Sequence, residues 1–320
     1  MNNRAAVWLT LSALTASTLA CVHSRVSSVP ERSEGYAEVN GVRLHYVSSG
    51  SGPLVLFLHG FPEFWYAWRD QLVELGRDHR AVAVDMRGFN LSSRPAELEA
   101  YRINVLVEDI RALADHLGAA KFVLVGHDWG GGVAWSFAMA HPERLEKLVI
   151  INAPHPAIFA RELAQDPAQQ QASQYMLTFR SPEAERILSA NNYARLLGAF
   201  SDLRQPGTFT TADSVAYTTA WSQPGALTGG LNYYRAARIG PPVPGAAPWA
   251  PADPSSSSMR VSVPTLVIWG EQDRALVSSN LTGLEAYVPR LTVKRIPDAT
   301  HWIVHERSAE VSSLIRDFIR

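Results

Sequence analysis

An aspartate stands where the chain turns from an apolar strand into a helix. In Val123-Leu124-Val125-Gly126-His127-Asp128-Trp129-Gly130-Gly131-Gly132, an apolar run meets a glycine, and a helix-like pattern of Ala134, Trp135, Phe137 and Met139 follows. Glycines two before and two after Asp128 remove the clashes of so tight a turn, so the carboxylate stands clear beside free backbone N–H groups. Serine is the usual occupant of such an elbow; aspartate cannot do ordinary serine-type acyl chemistry, but it can displace at a tetrahedral carbon without first losing a proton. A nucleophile of this kind needs a base, a group that orients the base, and N–H donors for a developing oxyanion. Asp273, in Trp269-Gly270-Glu271-Gln272-Asp273, and His301, in Pro297-Asp298-Ala299-Thr300-His301-Trp302, follow strands late in the chain. Open parallel sheets place their sites at such strand ends. Asp273 is expected to fix the tautomer of His301, whose other ring nitrogen activates water; Glu271 and Asp298 are the rival carboxylates. The backbone N–H groups of Phe61 and Trp129 are the candidate oxyanion donors.

The remaining histidines carry no such pattern. His59, His127 and His155 read as packed or hydrogen-bonded near the site, because no carboxylate or cysteine sits at metal-ligand spacing from them. His23, His45, His79, His116, His141 and His305 read as surface residues. No metal or organic cofactor is required.

The elements that must position these residues alternate in type. Tyr36 to Tyr46 reads as a hairpin with Asn40-Gly41 at its tip. Continuous apolar runs at Leu54 to Leu58, Ala81 to Val84, Val123 to Val125, Leu148 to Ile151 and Thr265 to Trp269 read as strands covered on both faces. Between them lie helical patterns, one through Trp68, Leu72 and Leu75 and one from Val105 to Leu117. The rhythm implies an α/β fold, a mostly parallel sheet flanked by helices. It stops after Pro154. Residues 156–258 show only helix-like segments, such as 184–197 and 216–226, and a Pro/Ala/Ser-rich return loop. The expectation is a core of 36–155 and 259–320 interrupted by a helical cap.

With 320 residues, 47% apolar and 18% charged, the chain is long enough for a large core, and a net charge of -1 argues against nucleic acid or an anionic membrane as partner. A single cysteine, Cys21, excludes an internal disulfide framework. Residues 1–21 read as a signal peptide, with Arg4 ahead of an uncharged run that ends in Thr18-Leu19-Ala20-Cys21. That ending resembles a bacterial lipoprotein box with Thr18 in place of the usual leucine. The expected location is therefore outside the cytoplasm, periplasmic or held to a membrane through a lipid on Cys21. Residues 22–35 read as a tether.

His59-Gly60-Phe61-Pro62, Gly126-His127-Asp128-Trp129-Gly130-Gly131 and the Asp273/His301 pair together resemble the epoxide hydrolases of the α/β-hydrolase superfamily, over roughly Tyr36 to Arg320. The resemblance implies an α/β-hydrolase fold, a cis peptide bond before Pro62, and two cap tyrosines that bind the epoxide oxygen. These match Tyr175 and Tyr234, with Tyr233 as the rival of the second. Asn90 departs from the family, where glycine is frequent. The implied reaction converts an apolar epoxide to a vicinal diol through an ester on Asp128, and Phe61, Pro62, Phe64, Trp65, Trp129, Phe179 and Trp302 suggest an apolar lining for its substrate. A haloalkane dehalogenase with the same triad is the alternative; it needs a second halide donor, which Phe61 cannot supply and Trp221 or Trp249 would have to. A catalytically silent scaffold that binds a ligand is the third reading.

Overall fold

The computed structural model describes residues 31–203, 207–237, 239–243 and 257–320. The signal segment, Cys21, His23 and Trp249 lie outside the described residues. The strands are β1 (Arg32–Val39), β2 (Val42–Ser49), β3 (Leu54–Leu58), β4 (Arg80–Val84), β5 (Phe122–His127), β6 (Leu145–Ile151), β7 (Thr265–Gly270) and β8 (Leu291–Ile296). They form one sheet in the order β1-β2-β4-β3-β5-β6-β7-β8. The β1–β2 and β2–β4 pairs are antiparallel and every other pair is parallel. The first strand begins inside the stretch expected to be a tether: Arg32 pairs with Ser49 and Gly35 with Tyr46. Asn40 (φ 49°) and Gly41 (φ 75°) supply the two positive angles that a two-residue hairpin requires.

Alternation along the central strands explains why they read as unbroken apolar runs. In β3, Leu56 and Leu58 face one core and Val55 and Phe57 the other. Helices α1 (Arg69–Leu75), α2 (Ile103–His116) and α3 (Trp129–Ala140) divide between the two faces. Trp135 and Phe137 of α3 join the first core, whereas Leu72 and Leu75 of α1 join the second. Each such fully buried side chain contributes about 1.5–3 kcal/mol.

Six helices occupy the described part of the segment between β6 and β7: α4 (Pro156–Gln165), α5 (Pro167–Ala172), α6 (Tyr175–Arg180), α7 (Ala184–Ala199), α8 (Thr211–Trp221) and α9 (Ala226–Ala237). The helix expected over 216–226 is two. A capping box between Thr210 and Asp213 starts α8, and the chain turns at Gly225 (φ 79°) before α9 begins. Helix α7 is broken at Asn191, Asn192 and Tyr193, which all take left-handed angles. The chain closes through α10 (Ile303–Glu306) and α11 (Ser308–Ile319), whose Val311 and Ile315 complete the second core. No helix among the described residues is long and apolar enough to cross a membrane.

Polar contacts hold the helical segment onto the ends of the strands. Arg69 of α1 pairs with Asp213 of α8 at 3.2 Å, and the Trp302 indole N–H donates to the Ala199 carbonyl at 2.7 Å. The seam between the two is the floor and roof of the site.

Candidate active site

The sharp turn that the glycine spacing implies is present. Asp128 has φ 50° and ψ -121°, an angle pair that costs energy for any residue with a side chain and persists only where its surroundings impose it. Those surroundings leave no room for alternatives: a Cβ on Gly126 would run into the Gly130 carbonyl, and one on Gly130 into that of Leu58. The carboxylate is thereby pushed out between β3 and β5. The Phe61 N–H donates to Asp128 Oδ1 at 2.8 Å, while Oδ2 lies 3.7 Å from His301 Nε2. The two oxygens therefore have different tasks available to them. One is already held by a backbone donor, and the other faces His301. Among the described residues no hydrogen bond runs from the Trp129 N–H to this carboxylate; Trp129 opens α3, where first-turn donors lack partners within the helix.

His301 Nδ1 lies 2.7 Å from Asp273 Oδ2. The Asp273 carboxylate is saturated with donors: Asn152 Nδ2 also reaches Oδ2 at 2.7 Å, and the Ala275 and Leu276 N–H groups reach Oδ1 at 2.8 and 2.9 Å. Burial works against its charge, but His301 and these donors more than compensate and hold the carboxyl below its ordinary value. An ionised Asp273 accepts only, so the proton on His301 sits at Nδ1 and Nε2 points to the cavity. Burial opposes the imidazolium as well; the charges of Asp273 and then Asp128 outweigh it and push His301 up to about 9.

Two cavity limbs meet over Asp128. One, of about 260 Å³, extends past Phe61, Pro62, Phe179, His301 and Trp302. The other, of about 420 Å³, extends past Trp129, Phe159 and Met176. Asp128, Tyr175 and Tyr234 line both. The two phenol rings lie edge-on with centres 6.2 Å apart, and the Trp129 ring meets Tyr234 edge-on at 5.0 Å. Burial first, with Asp128 nearby, pushes both phenols far above their ordinary value, so they stand as neutral donors. Tyr233 is not a rival: its hydroxyl donates to the Arg87 carbonyl at 2.8 Å, away from the cavity.

An alpha/beta hydrolase fold family model matches residues 53–308. The chain belongs to this family. Among relatives of this α/β hydrolase, "AB hydrolase superfamily protein YfhM" of Bacillus subtilis is 39% identical over 89% of the chain and 97% of its own length. "Epoxide hydrolase 4" of Mus musculus is 37% identical over 88% of the chain and 77% of its own length. The crystal structure of a Bacillus megaterium epoxide hydrolase in complex with an inhibitor superposes with a TM-score of 0.80 at 38% identity, covering 89% of this chain and 99% of that one.

Several residues of this hydrolase stand elsewhere than the sequence suggests. Phe64 and Trp65 line neither limb. Phe64 packs edge-on against Tyr217 with ring centres 5.3 Å apart, and the Trp65 N–H is drawn to Asp85 Oδ1 at 2.9 Å. His45 and His305 are not surface residues. His45 is fully buried with Nδ1 2.7 Å from Asp85, and His305 Nε2 lies 2.6 Å from Glu63. Glu271 pairs with Arg295 and Asp298 with Arg307, so neither competes with Asp273. The peptide bond before Pro62 is cis. Asn90 takes φ 41° and its side chain donates to Asp85 Oδ2.

His59 and His155 are packed. His59 Nε2 accepts from the Met86 N–H at 3.1 Å, which leaves Nδ1 to donate to the Gly60 carbonyl at 2.8 Å. Burial pushes His155 down to about 4 and it stacks on Tyr287 with ring centres 4.6 Å apart.

Two supporting residues escape the motifs. Asn152, at the end of β6, accepts from the Gly270 N–H at 2.8 Å while donating to Asp273. A lone asparagine closing an apolar strand was the available signal. Glu63 is buried beneath the site, where its oxygens lie 3.1 Å from His127 Nδ1, 2.6 Å from His305 Nε2 and 2.9 Å from the Tyr217 hydroxyl. His127 Nε2 in turn reaches the backbone carbonyl of His301 at 2.9 Å. Burial disfavours the Glu63 charge, yet His305 and His127 hold its carboxyl well below the ordinary value. Among the described residues no group of three His, Cys, Asp or Glu side chains is placed to hold a metal ion.

Proposed function

We propose that this α/β hydrolase opens apolar epoxides to vicinal diols through an ester on Asp128. The observation that carries the reading is the position of the Asp128 carboxylate, with one oxygen on the Phe61 N–H and the other in a cavity roofed by two neutral phenols. Attack of Oδ2 on an oxirane carbon forms one C–O bond and breaks another. The charge moves to the ring oxygen, where Tyr175 and Tyr234 donate, and a proton taken up there gives the alcohol of the hydroxyalkyl ester. Water then adds to the ester carbonyl. Its proton passes to His301 Nε2, the oxyanion grows on Oδ1, already 2.8 Å from the Phe61 N–H, and Trp129 offers the second backbone donor. Collapse breaks the bond between the Asp128 carbonyl carbon and the substrate oxygen; that oxygen takes back the proton held by His301 to become the second hydroxyl of the diol, and the regenerated carboxyl gives a proton to solvent, balancing the one taken up at the ring oxygen.

Esterification also changes the base. It removes the Asp128 charge, one of the causes that hold His301 protonated, so His301 gives up its proton more readily once the ester exists.

A dehalogenase would need a second halide donor from the cap. The Trp221 indole N–H is committed to the Pro62 carbonyl. The test is incubation of the purified protein with an aryl epoxide and, separately, a bromoalkane. Diol with no halide release is expected; halide release from the second substrate, or no diol from the first, overturns the reading.

A further inference from the structure

The carboxylate that holds His301 is itself held by a loop, and that loop is bonded to a helix between β6 and β7. The Ala275 and Leu276 N–H groups donate to Asp273 Oδ1, and the Leu276 N–H is among the groups that keep this carboxyl below its ordinary value. The same stretch of loop meets Gln169 of α5. Its Nε2 donates to the Ala275 carbonyl at 2.8 Å, and its Oε1 accepts from the Val277 N–H at 3.0 Å. The rest of the amide is taken as well: Nε2 also donates to Ser173 Oγ at 2.8 Å, and Oε1 also accepts from Asn280 Nδ2 at 2.6 Å. Two donated and two accepted bonds exhaust the group. The Val277 N–H can only donate and the Ala275 carbonyl can only accept, so the amide has one orientation. Gln169 is completely buried and is not among the residues that line either limb.

The peptide unit between Ala275 and Leu276 joins the two groups. Its carbonyl is bonded to Gln169, its N–H is bonded to Asp273, and the plane between them is rigid. Fixing the direction of one end therefore fixes the other, and hydrogen bonds in series through one peptide strengthen each other. An apolar side chain at position 169 would leave the Ala275 carbonyl unpaired in the interior. A peptide that turned to find another donor would carry the Leu276 N–H off Asp273. A second contact ties α5 to this loop without touching that peptide: Ser279 Oγ donates to Oδ2 of Asp166, the residue that caps the helix, at 2.8 Å.

We propose that Gln169 is a positioning residue for the second chemical step, holding the Ala275–Leu276 peptide so that Asp273 keeps His301 aimed at the ester on Asp128. This rests on the ester mechanism proposed above. Ring opening by a carboxylate needs no base, so Gln169 bears on ester hydrolysis rather than on ester formation.

Wild type, Gln169→Met, Ser173→Ala and Ser279→Ala are each to be reacted with an aryl epoxide in single turnover and quenched for intact mass, with stability followed by denaturant unfolding. In Gln169→Met, decay of the Asp128 ester should slow by about tenfold, the effect of one hydrogen bond on a barrier, while formation stays close to wild type. Ser173→Ala frees one N–H of the amide without emptying its site and should slow decay by about threefold; it decides the matter if Gln169→Met does not fold. Ser279→Ala removes only the neighbouring contact and should leave decay unchanged. Formation and decay slowed alike in Gln169→Met, wild-type decay in the variant that decides, or equal slowing in Ser279→Ala overturns the positioning role and leaves the proposed function standing. A wild type that makes no diol, or makes it with no ester at any time, overturns the proposed mechanism and this inference with it.

Discussion

Two buried carboxylate–histidine assemblies lie within one site, and only one of them faces the cavity. Asp273 holds His301 by Nδ1 and leaves Nε2 open, 3.7 Å from Asp128. Glu63 is enclosed by His127, His305 and Tyr217, and the second nitrogen of His127 is occupied by the His301 carbonyl. The groups are the same and the burial is the same. What separates the proposed base from a brace is whether one ring nitrogen is left without a hydrogen-bond partner among the described residues. The brace ties together the loop after β3, the elbow, the His301 loop and the cap helix α8, so it fixes the frame in which the other pair works.

That contrast can be broken by experiment. Asp128→Ala is expected to abolish turnover while thermal unfolding stays close to wild type; normal activity would end the mechanism. His301→Gln should let the first step proceed and stop the second, so that an ester of Asp128 accumulates and intact mass rises by the mass of the epoxide. Asp273→Asn, which costs His301 its orienting acceptor, should lower kcat by about a thousand- to ten-thousandfold. Tyr234→Phe removes one of two donors to the ring oxygen and should slow ester formation by about a hundredfold in single-turnover kinetics, with ester hydrolysis less affected. For the brace the expected loss is in stability. Glu63→Ala leaves donors unpaired in the interior and should cost about 3–5 kcal/mol in denaturant unfolding, more than Asp128→Ala costs. Equal stability of the two variants would erase the distinction between brace and base.

The smallest expected effect is on titration. The His301 imidazole is raised from its ordinary 6.5 to about 9, so the stability it contributes is fully present below about 6.5 and is lost as pH rises toward 9. In Asp128→Asn, a neutral mimic of the ester, the anion that favours the imidazolium is gone, and the titration of His301 followed by NMR should move down. An upward movement would contradict the switch of the base between the two steps.

Much of the site was legible because its parts stand at fixed places on an alternating chain. Asp128 lies between glycines, Asp273 and His301 follow strands, and the apolar runs mark which strands are covered on both sides. Phe64 and Trp65 misled because aromatic residues beside a site motif serve packing as readily as binding, and only the edge-on packing of Phe64 against Tyr217 separates the two uses. His305 misled, and Glu63 drew no notice, for a different reason. A charged or polar residue reads as exposed until its partners are known, and theirs come from four distant segments. The break in α7 was hidden too, since Ala184 to Ala199 contains good helix formers on both sides of the two asparagines.

By itself the sequence determined the type of fold and singled out Asp128, His301 and Asp273 for the proposed roles of nucleophile, base and orienting acid, because strand periodicity and the glycine elbow are local properties of the chain. The tertiary structure alone decided which oxygen of Asp128 meets a backbone donor, which of Tyr233 and Tyr234 looks into the cavity, and which histidine keeps a nitrogen open. Those are questions of direction and enclosure. They depend on which distant segments close around a side chain, and spacing along the chain carries no record of that.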